Sequence, residues 1–332
     1  MDIDARPVNP PPVDAVLLVG FGGPEGPADV LPFLENVTRG RGIPPERLAV
    51  VSGHYLDVFG GVSPINDQCR ALQAALTAAL PELPVYWGNR NWHPLLADTL
   101  SGMHAEGHRH AIAVVTSAFP SYSGCRQYRE DVAGVVPDGL IVTKVRHYYA
   151  EEGFLAPMRR NVAAAGLPEA RLVFTAHSIP ASAALSSGPD GNAYVESLRH
   201  AAAAVAGDRP WDLVFQSRSG PPSVPWLDPD VNDHLESLAE HGVREVVLVP
   251  VGFTSDHVEV VYDLDHEAAA TASRLGLTLR RAATVGTDPE FVAMLAGLVR
   301  ARVADPTERS GYGAVATHDR CPARCCPPPV RR

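Results

Sequence analysis

The chain has 332 residues and a net charge of −10, with 45% hydrophobic and 20% charged residues. This composition suits a folded globular protein and excludes a disordered chain or a fibre. The acidic balance, without a dense basic stripe, argues against nucleic acid as a partner. No window approaches about 18 apolar residues and the first residues lack a signal-peptide pattern, so we expect a cytoplasmic protein without a transmembrane segment. Lys144 is the only lysine among 28 basic residues, which by itself predicts no function.

Apolar runs recur at regular intervals and are typical of buried strands. Four lie in the first half of the chain and four in the second, at residues 15–19, 84–88, 111–116, 140–145, 171–176, 212–217, 245–251 and 277–282. Helix-length segments with a period of about 3.6 residues lie between them, among others 64–80, 192–207 and 288–303. The alternation predicts an α/β protein with two doubly wound domains, residues 13–148 and 149–286, each around a four-stranded parallel sheet.

In such sheets, ligands bind just beyond the carboxyl ends of the strands. Three informative segments follow predicted strands here: "GFGGPEG" after the first, "HSIP" after the fifth and "GFTSDHVE" after the seventh. The glycine turn lacks the spacing and the Lys-Ser/Thr of a nucleotide-binding loop, although its glycines permit close approach of any flat ligand. A lone histidine is most often structural, but the place of His177 directly after a strand favours a chemical role.

A row of acidic residues follows the seventh strand in "SDHVEVVYDLDHEA". If this segment is helical, Glu259, Asp263 and Glu267 fall at i, i+4 and i+8 and share one face. A solvated acidic face would give the same pattern. Against that alternative, the row begins at a strand end, and hard oxygen ligands opposite an imidazole suit a divalent cation such as Fe(II) or Zn(II).

Taken together, six ordered motifs resemble the ferrochelatase family, which inserts iron into porphyrins. They are "GGPEG", "GGVSPI", "YWGNRNWHP", "FTAHSIP", "FQSRSGPPSVPWLDP" and "VPVGFTSDHVEVVYDLDHE". The whole resemblance extends from about residue 15 to about residue 305. The resemblance implies two Rossmann-like domains with the porphyrin in the cleft between them, and commonly a monomer. It assigns His177 and Glu259 to catalysis and to the Fe2+ site, and Asp263 and Glu267 to accessory carboxylates. Ser63 and Tyr128 match porphyrin-contacting positions.

One position departs from the pattern of some bacterial relatives. Where those proteins place a tyrosine near the porphyrin metal after the first strand, this chain has Phe21. A phenyl ring cannot ligate iron, so we expect Phe21 to form part of the porphyrin-binding wall.

Three cysteines crowd the tail in "CPARCCPPP", and two more lie upstream. Cytosolic thiols stay reduced, so clustered cysteines there indicate a metal site more often than disulfides. The resemblance implies a [2Fe–2S] cluster held by Cys125, Cys321, Cys325 and Cys326, with residues 287–332 forming a helix and a cysteine tail that pack back on the first domain. A structural zinc site suits four thiolates equally well, and a disordered tail is a third alternative. We expect Cys69, within a periodic helix, to be a buried hydrophobic residue.

The cysteine tail and the arginine-rich composition resemble the ferrochelatases of high-GC Gram-positive bacteria, which implies coproporphyrin III as the substrate and coprohaem as the product. Protoporphyrin IX is the alternative substrate. Arg39, Arg41 and Arg126 are candidates for binding the propionates, by position only. A cobalt or nickel tetrapyrrole chelatase, and a non-catalytic haem-binding or iron–sulfur sensing protein, are the remaining alternatives.

Overall fold

Two four-stranded parallel sheets organise the computed structural model, which describes residues 10–40, 42–220, 223–305, 307, 310–312 and 317–328. In the N-terminal sheet, the strands β1 (Ala15–Gly20), β2 (Val85–Asn89), β3 (His110–Val115) and β4 (Ile141–Lys144) lie in the order β2-β1-β3-β4. In the C-terminal sheet, the strands β5 (Arg171–His177), β6 (Trp211–Gln216), β7 (Glu245–Val249) and β8 (Thr278–Arg281) lie in the order β6-β5-β7-β8. All eight predicted strands are confirmed, as is the doubly wound architecture.

Helices cover both faces of these sheets. The α-helices are α1 (Pro27–Val37), α2 (Pro45–Gly53), α3 (Ile65–Ala79), α4 (Leu96–Ala105), α5 (Gln127–Val135), α6 (Glu152–Ala164), α7 (Ala181–Leu185), α8 (Ala193–Ala206), α9 (Val231–Glu240), α10 (Val258–Val261), α11 (Ala269–Leu275) and α12 (Pro289–Ala304). Three π-helical turns occur at His54–Val58, Tyr122–Arg126 and Tyr262–Ala268. A short antiparallel pair, β9 (Ser310–Tyr312) and β10 (Thr317–His318), precedes the cysteines of the tail.

The long apolar runs became strands because both sheet faces are covered. Every residue of β1 is buried, as expected for a central parallel strand between two helical layers. One continuous apolar core joins the sheets, since Leu18 of β1, Phe174 of β5 and Phe291 of α12 belong to the same buried cluster. Helix α12 packs against both α6 and α3. The predicted domain boundaries at 148 and 286 remain a prediction.

The two halves also meet through hydrogen bonds beside the strand ends. The Gln68 side chain donates to the Asp256 carbonyl and accepts from the Asp256 backbone N–H, both at 2.9 Å. The Thr254 hydroxyl donates to the Thr116 carbonyl at 3.1 Å. These contacts join α3 and the carboxyl end of β3 in the N-terminal half to the segment that follows β7 in the C-terminal half.

Candidate functional site

The imidazole of His177 lies at the carboxyl end of β5 in a fixed orientation. Its Nδ1 is 2.5 Å from the Ser178 carbonyl oxygen. Because a carbonyl oxygen can only accept, Nδ1 carries a proton and the neutral ring keeps its lone pair on Nε2. The Tyr194 hydroxyl donates to the His177 carbonyl at 2.9 Å, which holds the backbone from behind.

The free nitrogen of His177 faces Glu259. His177 Nε2 lies 3.6 Å from Glu259 Oε2, and half of the Glu259 side chain is exposed. Two ligands at about 2.1 Å from one ion stand up to about 4 Å apart, so this spacing accommodates a single cation between the two groups. The structure therefore brings together the two residues that the sequence predicts at the iron.

The carboxylate row is helical, as the sequence predicts, but most of it is a π-helix and not an α-helix. Glu259 lies on the short helix α10, and Asp263 and Glu267 lie on the following π-helix. A π-helix has hydrogen bonds from i to i+5 and its turns are wider than those of an α-helix, so residues four apart stay on one side. The π-helix was not predicted, because a single wide turn leaves no distinct period in a sequence.

Asp263 is the most strongly perturbed carboxyl group of the row. Its Oδ2 accepts a short hydrogen bond from the Ser217 hydroxyl, and Gln216 Nε2 donates to it at 3.3 Å. Burial, together with the nearby carboxylates of Glu259 and Glu267, raises the pKa of Asp263 to about 7. A carboxyl group with that pKa exchanges protons readily near neutral pH.

An aromatic cluster from the N-terminal half lies next to this row. Phe21 follows β1, with its ring centroid 6.4 Å from that of Phe33 and 5.9 Å from the guanidinium of Arg90. The Phe33 ring in turn lies 6.0 Å from the rings of both Tyr55 and Trp92. Sequence reasoning singled out only Phe21, since the others join it through tertiary packing.

The aromatic cluster also contacts the short helix α10, which carries Glu259. Val258, next to Glu259, is buried against the cluster's side chains. Burial, and then the charge of Glu259, raises the pKa of Tyr55 well above its usual range. The ring of His54 stacks on that of Tyr262 with centroids 4.0 Å apart. The aromatic cluster therefore lies close to the helix that presents Glu259 to His177.

The other two residues predicted to contact the porphyrin, Ser63 and Tyr128, are both buried. Ser63 is buried beside the glycine turn after β1, where its N–H donates to the Pro24 carbonyl at 2.8 Å. Tyr128 is also buried, with the guanidinium of Arg90 only 4.3 Å from its ring centroid. Their contacts with a porphyrin stay predictions.

The three candidate propionate-binding arginines differ in their surroundings. Arg39 is exposed at the end of α1. Arg41 lies outside the described residues. Arg126 donates to the Ala323 carbonyl at 2.8 Å and so faces the cysteine tail.

Four of the five cysteines form one buried cluster. Cys125, from the π-helical turn after β3, meets Cys321, Cys325 and Cys326 of the tail, and all four are at most 5% exposed. All are free thiols, and Cys325 Sγ lies 3.7 Å from Cys326 Sγ. Hydrogen bonds from Cys125 and Cys325 lower the pKa of Cys321 far below its usual range.

Several contacts fix the tail that carries these thiols. The Gly188 N–H donates to Cys326 Sγ at 3.1 Å. A buried ion pair joins Arg302 of α12 to Asp319 at 3.8 Å. The fifth cysteine, Cys69, is buried in α3, as expected, and burial raises its pKa to about 12. Within the described ranges, no three His, Cys, Asp or Glu side chains are arranged as a set of ligands for one metal ion.

Comparisons with known proteins agree with this architecture. The family model described as Ferrochelatase matches residues 13–303. The chain is 52% identical to the coproporphyrin III ferrochelatase of Streptomyces griseus subsp. griseus, covering 96% of this chain and 94% of that protein. It is 47% identical to the ferrochelatase of Rhodopirellula baltica, covering 95% and 94%.

Among solved structures, SirB from Bacillus subtilis with Fe3+ aligns with a TM-score of 0.56 at 12% identity, covering 88% of this chain and 96% of that one. That likeness concerns the fold alone. In the described part of the chain, no helix is long and apolar enough to cross a membrane. On the strength of the family match and of relatives about half identical over nearly its full length, this chain belongs to the ferrochelatase family.

Proposed function

We propose that the protein inserts Fe(II) into coproporphyrin III and releases Fe-coproporphyrin III (coprohaem). The observation that supports this most strongly is the pair formed by His177 Nε2 and Glu259 Oε2, 3.6 Å apart at one side of the cleft. A flat macrocycle between this pair and the aromatic cluster has its central nitrogens next to an imidazole and a carboxylate. We also propose that the enzyme acts in the cytoplasm as a monomer.

Metal insertion requires two pyrrole N–H protons to leave and a hydrated cation to lose its water. In our proposal, His177 accepts a pyrrole proton or holds the iron through Nε2, because its Nδ1 is committed to the Ser178 carbonyl. Glu259 holds the incoming ion from the other side. Asp263 and Glu267, farther along the helix, carry protons or hydrated iron between Glu259 and solvent, and the raised pKa of Asp263 suits proton transfer.

Phe21, Ser63 and Tyr128 belong to the porphyrin side in this proposal. A ring at Phe21, near Phe33, offers an apolar face for a macrocycle to pack on. Because phenylalanine offers no lone pair to a metal, any iron ligand from the protein comes from the His177 side. The preference for coproporphyrin III over protoporphyrin IX follows the name of the Streptomyces relative, with which the chain is 52% identical.

We further propose that Cys125, Cys321, Cys325 and Cys326 hold a [2Fe–2S] cluster. The donor set fits, since such clusters are bound by four thiolates and the four buried sulfurs lie together without a disulfide. When bound, the cluster supplies one-electron redox chemistry and a crosslink between the tail and the loop after β3. The protein's own contribution is to exclude water and to hold the tail through Arg126 and Arg302.

One experiment tests the enzymatic proposal. Purified protein is incubated anaerobically with Fe(II) and either coproporphyrin III or protoporphyrin IX, and the loss of porphyrin fluorescence is followed. We expect rapid insertion into coproporphyrin III and at least tenfold slower insertion into protoporphyrin IX. Insertion into neither contradicts the proposed activity and favours a binding protein, and a preference for protoporphyrin IX contradicts the proposed substrate.

The absorption spectrum and metal content of the protein as purified test the cofactor. We expect a coloured protein with two irons and two sulfides beyond any substrate iron. A colourless protein with one zinc per chain contradicts the cluster.

A further inference from the structure

The only lysine of the chain lies beside the buried cysteines. Lys144 is the last residue of β4, and the whole residue is only 8% exposed. It lines one small cavity together with Gly124, Cys125 and His147. The other 27 residues of the Lys and Arg total are arginines. Lys144 is therefore the one lysine side chain of the sequence, and it lies beside Cys125.

A buried cation near the four cysteines would balance the negative charge of the proposed [2Fe–2S] cluster. Two ferric ions, two sulfides and four thiolates sum to a net charge of about −2, and one-electron reduction makes it about −3. Burying that charge in a site closed to water is costly unless an opposite charge lies nearby. The cation that balances it must be buried and must not already be neutralised by a carboxylate.

Neighbouring basic groups do not meet both conditions. Arg126 forms an ion pair with Glu130 at 2.8 Å, and Arg146 forms one with Glu151 at 2.5 Å. His147 is neutral, because burial, followed by the charge of Lys144, lowers its pKa to about 3. Each of these groups either shares its charge with a carboxylate or carries none.

Lys144 meets both conditions. Among the described residues no carboxylate forms an ion pair with it, and its Nζ has only the Val145 carbonyl at 3.3 Å. Its geometric link to the proposed cluster is the cavity that it lines together with Cys125.

His147 lines the same cavity. Nε2 of His147 is buried, and it has no hydrogen-bond partner in the described structure. In the neutral ring Nε2 is the acceptor nitrogen, because the other nitrogen bonds the Ala118 carbonyl.

We propose that Lys144 is the buried counter-charge of the cysteine-held metal centre and sets its reduction potential. This inference rests on the proposed [2Fe–2S] cluster. A fixed positive charge stabilises the reduced state more than the oxidised state, because the reduced state carries one more negative charge. Lys144 thus raises the potential, and it acts as a positioning residue that touches neither iron substrate nor porphyrin.

The test is a redox titration of the full-length protein followed by electron paramagnetic resonance, with iron and sulfide content measured in parallel. Lys144→Met removes the charge and keeps the length, and we expect at least a tenfold fall in the equilibrium constant for reduction, about 59 mV for one electron. Lys144→Arg keeps the charge and should stay within threefold of wild type. Arg280→Met, which removes an exposed charge on β8, is the matched control and should not move the potential.

The outcomes separate the two proposals. A Lys144→Met potential equal to that of wild type, or a Lys144→Arg potential as low as that of Lys144→Met, overturns the role of Lys144. If Lys144→Met loses its cluster while Lys144→Arg and Arg280→Met keep theirs at the wild-type potential, the charge assignment is supported. If the wild-type protein holds zinc, the cluster proposal fails, and the counter-charge is then measured as at least tenfold weaker Zn2+ affinity of Lys144→Met against a chelator. Equal Zn2+ affinities overturn it.

Discussion

The two sheets share one topology and present different chemistry at equivalent places. β1 and β5 are the central strands, each flanked by the second and third strands of its own sheet. The chain leaves β1 at Phe21, an apolar ring, and it ends β5 at His177, a titratable ring. In the proposed function, the same architecture supplies an apolar wall for the porphyrin and, opposite it, a wall that binds the metal. On this account the fold sets where the ligand binds, and the residues after each strand set its chemistry.

The largest expected loss of insertion rate follows a change at His177, which belongs to the C-terminal sheet. Replacing His177 by alanine removes the group next to the macrocycle nitrogens, so we expect kcat for iron insertion to fall about 1000-fold, within the range of general-base removal. The Kd for coproporphyrin III, measured by fluorescence quenching, should stay within about threefold because the apolar wall is intact. His241→Ala, an exposed histidine bonded to its own helix, is the control. A His177→Ala variant that fails to bind porphyrin would contradict the proposal that the apolar wall binds the porphyrin and the opposite wall provides the chemistry.

A smaller loss is expected at Glu259. Glu259→Gln keeps the shape but removes the charge that faces His177 at 3.6 Å, and we expect kcat to fall about 100-fold with KM for Fe(II) raised. Steady-state assays over a range of Fe(II) concentrations separate the two parameters. If KM and kcat are both unchanged, Glu259 does not bind the incoming iron.

Along the carboxylate row the effect should decline outward. Asp263→Asn preserves the hydrogen bond from Ser217 while removing the exchangeable proton, and we expect about a tenfold fall in kcat. Glu267→Gln, at the exposed end, should change kcat by about twofold. The same insertion assay measures both, and a larger loss at Glu267 than at Asp263 would reverse the proposed direction of the row.

On the N-terminal side, binding rather than rate should change. Phe21→Ala deletes a ring that packs near Phe33, and we expect the Kd for coproporphyrin III to rise about tenfold, or about 1.4 kcal/mol. Turnover at saturating porphyrin should stay within about threefold. If kcat falls while Kd does not change, Phe21 acts on the chemistry and the comparison between the walls fails.

The smallest effect concerns the C-terminal sheet away from its carboxyl ends, where charges only stabilise. Although burial opposes ionisation, hydrogen bonds from Arg171 and His234 hold the pKa of Asp212 well below its usual value. A lowered folded-state pKa contributes stability above about pH 4 and loses it as the pH falls through the folded-state pKa. We expect Arg171→Met to lower the free energy of unfolding by about 1 kcal/mol at pH 7.

Urea denaturation at several pH values measures that difference, which should shrink below pH 4. Insertion activity should be unchanged, because Arg171 begins β5 and His177 ends it. A difference that grows on acidification would contradict the assigned pKa direction.

Features that depend on neighbouring residues in the sequence were predictable, whereas features that depend on tertiary packing were not. The eight strands were predictable because a parallel strand covered on both faces must be apolar along its whole length, as β1 is. The closeness of His177 and Glu259 was predictable because the carboxyl ends of parallel strands meet at one edge of a sheet; their chemical roles stay predictions. The π-helix of Tyr262–Ala268 and the contacts of Tyr55 and Trp92 arise from tertiary packing. Lys144 predicted no function from the sequence, because its place beside Cys125 depends on the fold.

The position of bound iron tests the division between the two walls most directly. Crystals soaked anaerobically with Fe(II) in the absence of porphyrin can be measured at the iron absorption edge, where anomalous scattering locates the ion. We predict a peak between His177 Nε2 and Glu259 Oε2, which are now 3.6 Å apart. An iron peak among the residues around Phe21, with none at the His177–Glu259 pair, would contradict the assignment of metal chemistry to the C-terminal sheet.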